Sequence, residues 1–127
     1  MSQAHDIDIA RDRCDSSAYQ LADVLVLEVY RAAAQLPAGE RFGLHVQLCR
    51  ASVAVRSRIA DAYKQPSERE LLHFLAAAIG CALEVQYLIC FAIRRGLIDA
   101  DVGAEVAKGY EQVARALELA TVPGFAA

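Results

Sequence analysis

The sequence predicts an all-α protein, an up-down-up-down antiparallel four-helix bundle. Apolar residues recur every three or four positions through four long segments, which is the period of a helix face. Breaker clusters at Pro37-Ala38-Gly39, Gln65-Pro66 and Arg95-Gly96-Leu97 separate those segments. No run alternates apolar and polar residues in the manner of a half-buried strand. Connections of two to three residues then force successive helices to run antiparallel.

Residues 1–15 are mixed and weakly patterned and read as a flexible lead-in. The bundle takes residues 16–122, and residues 123–127 are a C-terminal tail. Helix one starts near Asp15 or Ser16, either of which can cap it, and repeats Ala18, Leu21, Ala22, Leu25, Val29, Ala32 and Leu36. Helix two runs from Gly39 or Glu40 to Lys64, with Leu44, Leu48, Ala51, Val55, Ile59 and Ala62 as its core stripe. A second apolar line on it, Val46, Cys49, Val53 and Ala60, exceeds what one bundle core requires.

Ser67-Glu68-Arg69-Glu70 is a capping box and marks the start of helix three, the most apolar segment of the chain. From Leu71 to Ile93 its strongly polar members are His73, Glu84 and Gln86. One stripe (Leu75, Ala78, Ala82, Ile89) suits the core. A second, with Leu72, Ile79, Leu83 and Tyr87, needs another cover: a second subunit or lipid. Arg94 and Arg95 suit the helix C-terminus, and Gly96 can take the left-handed conformation that ends it. Helix four begins near Asp99 and runs to Ala120, with Val106, Tyr110, Val113 and Leu117 facing inward.

At 127 residues and 56% apolar composition the chain makes one well-buried domain and is not disordered. A net charge of −3 gives no general attraction to nucleic acid or to an anionic membrane. The charge is uneven, however: residues 37–65 carry +3 and residues 97–127 carry −3. Cys14, Cys49, Cys81 and Cys90 form no Cys-x-x-Cys pair and read as free thiols in a reducing compartment. With no secretory pattern at the N-terminus, the expected location is cytoplasmic.

Leu36, Pro37, Glu40, Arg41, Gly43, Leu44, Gln47, Leu48, Arg50 and Ala51, followed by Phe74, Leu75, Ala78, Gly80 and Glu84, stand in a characteristic order and spacing. In these the chain resembles the small four-helix bundle proteins encoded in intervening sequences of bacterial 23S ribosomal RNA genes. Where that family reads Asn-Ile-Ala-Glu-Gly, this chain has Arg58-Ile59-Ala60-Asp61-Ala62, and Cys81 replaces the serine after the family glycine. The resemblance implies a cytosolic bundle that assembles with itself into a ring, typically a homopentamer, with no established enzymatic activity. Relatives among the accessory proteins of diversity-generating retroelements bind nucleic acid and a reverse transcriptase through basic surfaces.

Phosphate binding would fall to Arg50, Arg56, Arg58 and Lys64 of helix two, but these cations point in separate directions and no aromatic is arranged to stack with them. Glu84 interrupts the apolar helix beside His73 and Gly80, so a buried pairing with Arg50, Arg56 or Arg58 is expected, either fixing helix register or joining subunits. Gly80, among alanines, is expected to mark a close helix crossing. His45 and Cys49 share metal-ligand spacing, yet two ligands are not a site, and no nucleotide-binding, hydrolase or zinc-finger motif occurs. Catalytic residues, cofactors, metals and small-molecule ligands are therefore not assigned. A membrane span through Leu71–Ile93 is long enough, but Glu84 near its centre would cost about 2.5–3.5 kcal/mol.

The expectation is a non-enzymatic, homo-oligomeric scaffold or interaction module. Its interface should draw on Val46, Cys49, Val53, Ala60, Leu72, Ile79, Leu83 and Tyr87. The alternative is a nucleic-acid-binding accessory protein using the basic surface of helix two.

Overall fold

The computed structural model describes residues 17–122. The lead-in, the proposed caps Asp15 and Ser16, and the C-terminal tail lie outside the described residues. Four helices follow one another: α1 (Ala18–Ala33), α2 (Leu44–Ala62), α3 (Glu68–Arg94) and α4 (Ala100–Ala120). A short 3-10 helix, Ala38–Glu40, lies between the first two. Each long helix packs on the two beside it, closing the square α1–α2–α3–α4 of an up-down bundle. Among the described residues there is no strand.

The core is the inward stripe of each helix. Val29, Leu48, Val55, Ile59, Ala78, Val85, Ile89, Tyr110 and Val113 are all fully buried. Fully burying one such aliphatic side chain contributes about 1.5–3 kcal/mol, so this seam carries most of the favourable free energy of folding.

Helix ends follow local chemistry. The Ser67 hydroxyl accepts from the Glu70 N–H at 3.2 Å, and the Asp99 carboxylate accepts from the Val102 N–H at 3.1 Å. Each satisfies a donor that the first turn leaves open. At the far end of α3, Gly96 adopts φ +71°. There the Leu97 N–H reaches the Ala92 carbonyl at 2.8 Å and the Gly96 N–H reaches Ile93 at 2.9 Å, the paired bonds of a Schellman turn.

Helix two starts later than its periodicity suggests. Pro37 is extended, the chain makes one 3-10 turn, and Gly43 at φ −114°, ψ −103° separates that turn from Leu44. Pro37 and Gly43 thus bracket a separate elbow, a role that the apolar period does not encode.

The glycines redistribute as well. Gly80 is exposed, and a Cβ there would meet nothing within 4 Å, so it is not the intramolecular crossing that its alanine-rich surroundings suggest. The close approaches are made by α4: a Cβ on Gly103 would lie 2.6 Å from Ile93 Cδ1, and one on Gly109 would lie 2.5 Å from Leu25 Cδ2. These two glycines let α4 settle against α3 and α1.

Candidate self-association surface

The line Val46, Cys49, Val53 and Ala60 emerges on the α1 side of α2. Cys49 is buried, Val46 and Ala60 are half-buried, and Val53 is 41% exposed. Tyr30 of α1 joins Val46, Cys49 and Val53, and with His45, Arg50 and Ala54 they line an open, mostly apolar cleft of about 540 Å³ that does not extend to Ala60. Inside it Cys49 Sγ lies 3.9 Å from His45 Nδ1. Burial raises the Cys49 thiol pKa, and a hydrogen bond with Tyr30 pulls it partly back. A thiol held protonated in this way is a packing group rather than a nucleophile.

The second surface is the outward arc of α3. Leu83 and Tyr87 are 53% and 61% exposed, Leu72 and Ile79 are half-buried beside them, and Ala76, Gly80 and Cys90 lie on the same exposed arc. Tyr87 stacks on Phe91 at 6.3 Å. Helix α4 offers a contrast. Its outer face is charged along its length, with Asp101, Glu105, Lys108, Glu111, Arg115 and Glu118 all exposed. A solvated helix looks like α4; the outward arc of α3, with Leu83 and Tyr87 more than half exposed, does not.

Inside the chain, the expected buried contact between Glu84 and an arginine is not made. Glu84 is exposed, because it stands with His73 and Gly80 on the outward arc of α3, where its carboxylate keeps its water. Arg56 turns instead to α1, donating from Nε to Asp23 Oδ1 at 2.6 Å and lying over the Tyr19 ring at 5.1 Å. That stacking corrects the expectation that no cation of helix two has an aromatic neighbour. Its hydrogen bond to Asp23 raises the Arg56 pKa, offset in part by desolvation. Arg50, Arg58 and Lys64 are exposed and have no ion pair among the described residues.

Periodicity within helix two could not show that α1 would contribute Tyr30, nor that Leu27 and Val24 of the same helix would be 60% and 56% exposed. The signal available was the surplus of apolar positions on helix one. Gln86, one of the polar residues of α3, ties that helix to α4 by donating to the Ala107 carbonyl at 3.2 Å.

Among the described residues, no three His, Cys, Asp or Glu side chains gather where they could hold a metal ion. By length and composition α3 could cross a membrane, but in this fold it packs between α2 and α4.

The family model described as 23S rRNA-intervening sequence protein matches residues 14–118. Among solved structures, the chain resembles the crystal structure of a protein of unknown function from the S23 ribosomal protein family of Bacteroides thetaiotaomicron VPI-5482. The TM-score is 0.60 at 16% identity, covering 88% of this chain and 94% of that one. At that identity the likeness speaks for the fold. No curated protein matches the chain.

Proposed function

The chain belongs to the 23S rRNA-intervening sequence protein family, and from that membership we propose a non-catalytic bundle that assembles with copies of itself and serves as a scaffold or interaction module in the cytoplasm. One observation carries the reading: two separate apolar surfaces, one around Tyr30 and Val53 and one around Leu83 and Tyr87, stand open on a bundle whose core is already closed. Exposed apolar surface of this kind favours burial against a partner. A homopentameric ring is the assembly implied by the sequence resemblance.

A nucleic-acid role draws on fewer groups than the sequence suggested, since Asp23 already neutralises Arg56. What remains is Arg50 in the Tyr30–Val53 cleft, Arg58 on α2 and Lys64 just past its end, all exposed. Size-exclusion chromatography with light scattering, on protein freed of nucleic acid, tests both readings. A defined oligomer at micromolar concentration supports self-assembly. A monodisperse monomer refutes it, and an assembly that forms only with added RNA or DNA and dissolves steeply with salt favours the alternative.

A further inference from the structure

The geometry points to a head-to-tail contact in which the α3 stripe of one copy lies antiparallel on the α2 side of the Tyr30–Val53 cleft of a second copy, with Glu84 opposite Arg50. The contact rests on the self-association reading and adds to it the two faces that meet and their direction.

Shape is the first argument. The α2 surface is hollow, a cleft of about 540 Å³, whereas the α3 surface is raised, with Leu83 and Tyr87 more than half exposed. Gly80 is the second. A glycine inside a helix is less favourable than alanine by about 1 kcal/mol, and the neighbours that account for Gly103 and Gly109 have no counterpart at Gly80. Open space above an exposed mid-helix glycine lets another backbone approach closely.

Charge decides the direction. The α3 stripe from Leu72 to Cys90 is centred on Cys81, and the α2 line from Val46 to Ala60 is centred on Val53. Laying one centre on the other with the helices antiparallel brings Glu84 level with Arg50 and His73 level with Asp61, and places Glu70 near Lys64, just past the end of α2. All six side chains are exposed, and none has an ion pair among the described residues. The same register sets Gly80 beside Ala54, one small residue against another.

The other arrangements fare worse. With the two helices parallel, His73 would lie level with His45, and Glu84 would meet Arg56, whose guanidinium is already held by Asp23. A two-fold pairing of α3 with its own copy about Cys81 would hold two Glu84 carboxylates about 9 Å apart along the axis, at 1.5 Å rise per residue. A two-fold pairing of α2 about Val53 would do the same with two Arg50 guanidinium groups. Like charges near a two-fold axis oppose an isologous contact, whereas the heterologous one pairs opposite signs, and heterologous contacts close into rings when the rotation permits.

The test uses the full chain and its reversals Glu84→Arg, Arg50→Glu and the double variant, followed by light scattering across a dilution series at low salt, with circular dichroism confirming the fold. Each single reversal should raise the concentration at which the assembly dissociates by about tenfold or more. The double variant, with the pair restored in the opposite sense, should return towards the parent value. A 1:1 mixture of the two single variants should also recover assembly relative to either alone, since every contact between unlike copies joins opposite charges and a five-membered ring keeps as few as one like-copy contact. An assembling parent whose single reversals have no effect, or whose double variant is no better than the singles, overturns this contact and leaves self-assembly standing. A monomeric parent overturns both.

Discussion

Gly109 of α4 and Leu25 of α1 share one space: a Cβ added to the glycine would stand 2.5 Å from Leu25 Cδ2 and 3.3 Å from its Cγ. Leu25 is buried and has little room to withdraw. Gly109→Ala should therefore destabilise the fold by about 1–2 kcal/mol, the overpacking penalty exceeding the gain in helix propensity. In a Leu25→Ala background the sign should reverse, because the clash is gone and the propensity gain remains. Chemical denaturation of the four chains of this cycle measures the coupling. If Gly109→Ala has the same effect in both backgrounds, the two residues do not compete for that space.

The end of α3 depends on the left-handed backbone of Gly96. Nothing crowds its Cβ position, so a substitution there reports on conformation alone. Gly96→Ala should cost about 1–2 kcal/mol of stability, and Gly96→Asn, which tolerates this conformation better, should cost less. A loss for Gly96→Asn equal to or greater than that for Gly96→Ala would show that the left-handed conformation does not set the preference.

These two glycines show what the sequence could and could not reveal. Gly96 was legible because it stands after two arginines at the end of an apolar period, where a helix C-terminus needs a left-handed residue. Gly103 and Gly109 were not, since their reason is a side chain on another helix, and the alanine neighbours of Gly80 suggest a crossing inside the bundle that the fold does not make. The same division holds for the polar groups. Ser67 and Asp99 act within four residues and could be read directly. Arg56 reaches 33 residues back to Asp23, a contact that depends on how α1 and α2 are rotated against each other. The apolar neighbours of Glu84 suggest a buried pairing with an arginine, within the chain or between subunits; within the chain its phase places it on the outward arc, and an apolar neighbourhood in sequence is not burial when the helix exposes apolar surface.

Tyr110 is fully buried, and its hydroxyl has no hydrogen-bond partner among the described residues. Burial raises its pKa well above the usual phenol value, and the buried Ser52 hydroxyl, which donates to the Cys49 carbonyl at 2.8 Å, eases that rise only in part. Above about pH 10 the unfolded chain ionises this tyrosine while the folded chain holds it neutral. Its contribution is therefore complete below that pH and is lost as the pH climbs towards the folded value, with a slope of at most about 1.4 kcal/mol per pH unit. Tyr110→Phe should remove this component, so the difference in stability between variant and parent should shift in favour of the variant on going from pH 9 to pH 11. A constant difference across that range would mean that Tyr110 is not held neutral. At neutral pH the substitution should change stability by less than about 1 kcal/mol, because no well-formed hydrogen bond is lost.

The exposed pair Leu83 and Tyr87 should matter to assembly and little to the fold. Leu83→Ser with Tyr87→Ser should lower the assembled mass by light scattering while leaving the helical signal intact, since both side chains are more than half exposed. Val102→Ser on α4, at 39% exposure the matched control, should leave the mass unchanged. Equal loss from both sets would indicate general surface hydrophobicity rather than a defined interface.

Gly80→Ala separates the folding of the single chain from its assembly. Within one copy the added methyl meets nothing and replaces the residue least suited to a helix interior apart from proline, so folding should gain up to about 1 kcal/mol. Arg50→Glu, which weakens the proposed contact, provides the background in which to measure that gain on dissociated chains. With Arg50 intact, the same methyl would stand between α3 and the neighbouring α2 and should shift assembly towards dissociation. Two opposite signs from one methyl group, stabilising the subunit and weakening its association, are what an exposed glycine at a close intermolecular crossing requires. A gain in folding with no change in assembly would leave Gly80 outside the interface, and the α3 stripe would then have to meet its partner along the Leu72–Ile79 flank instead.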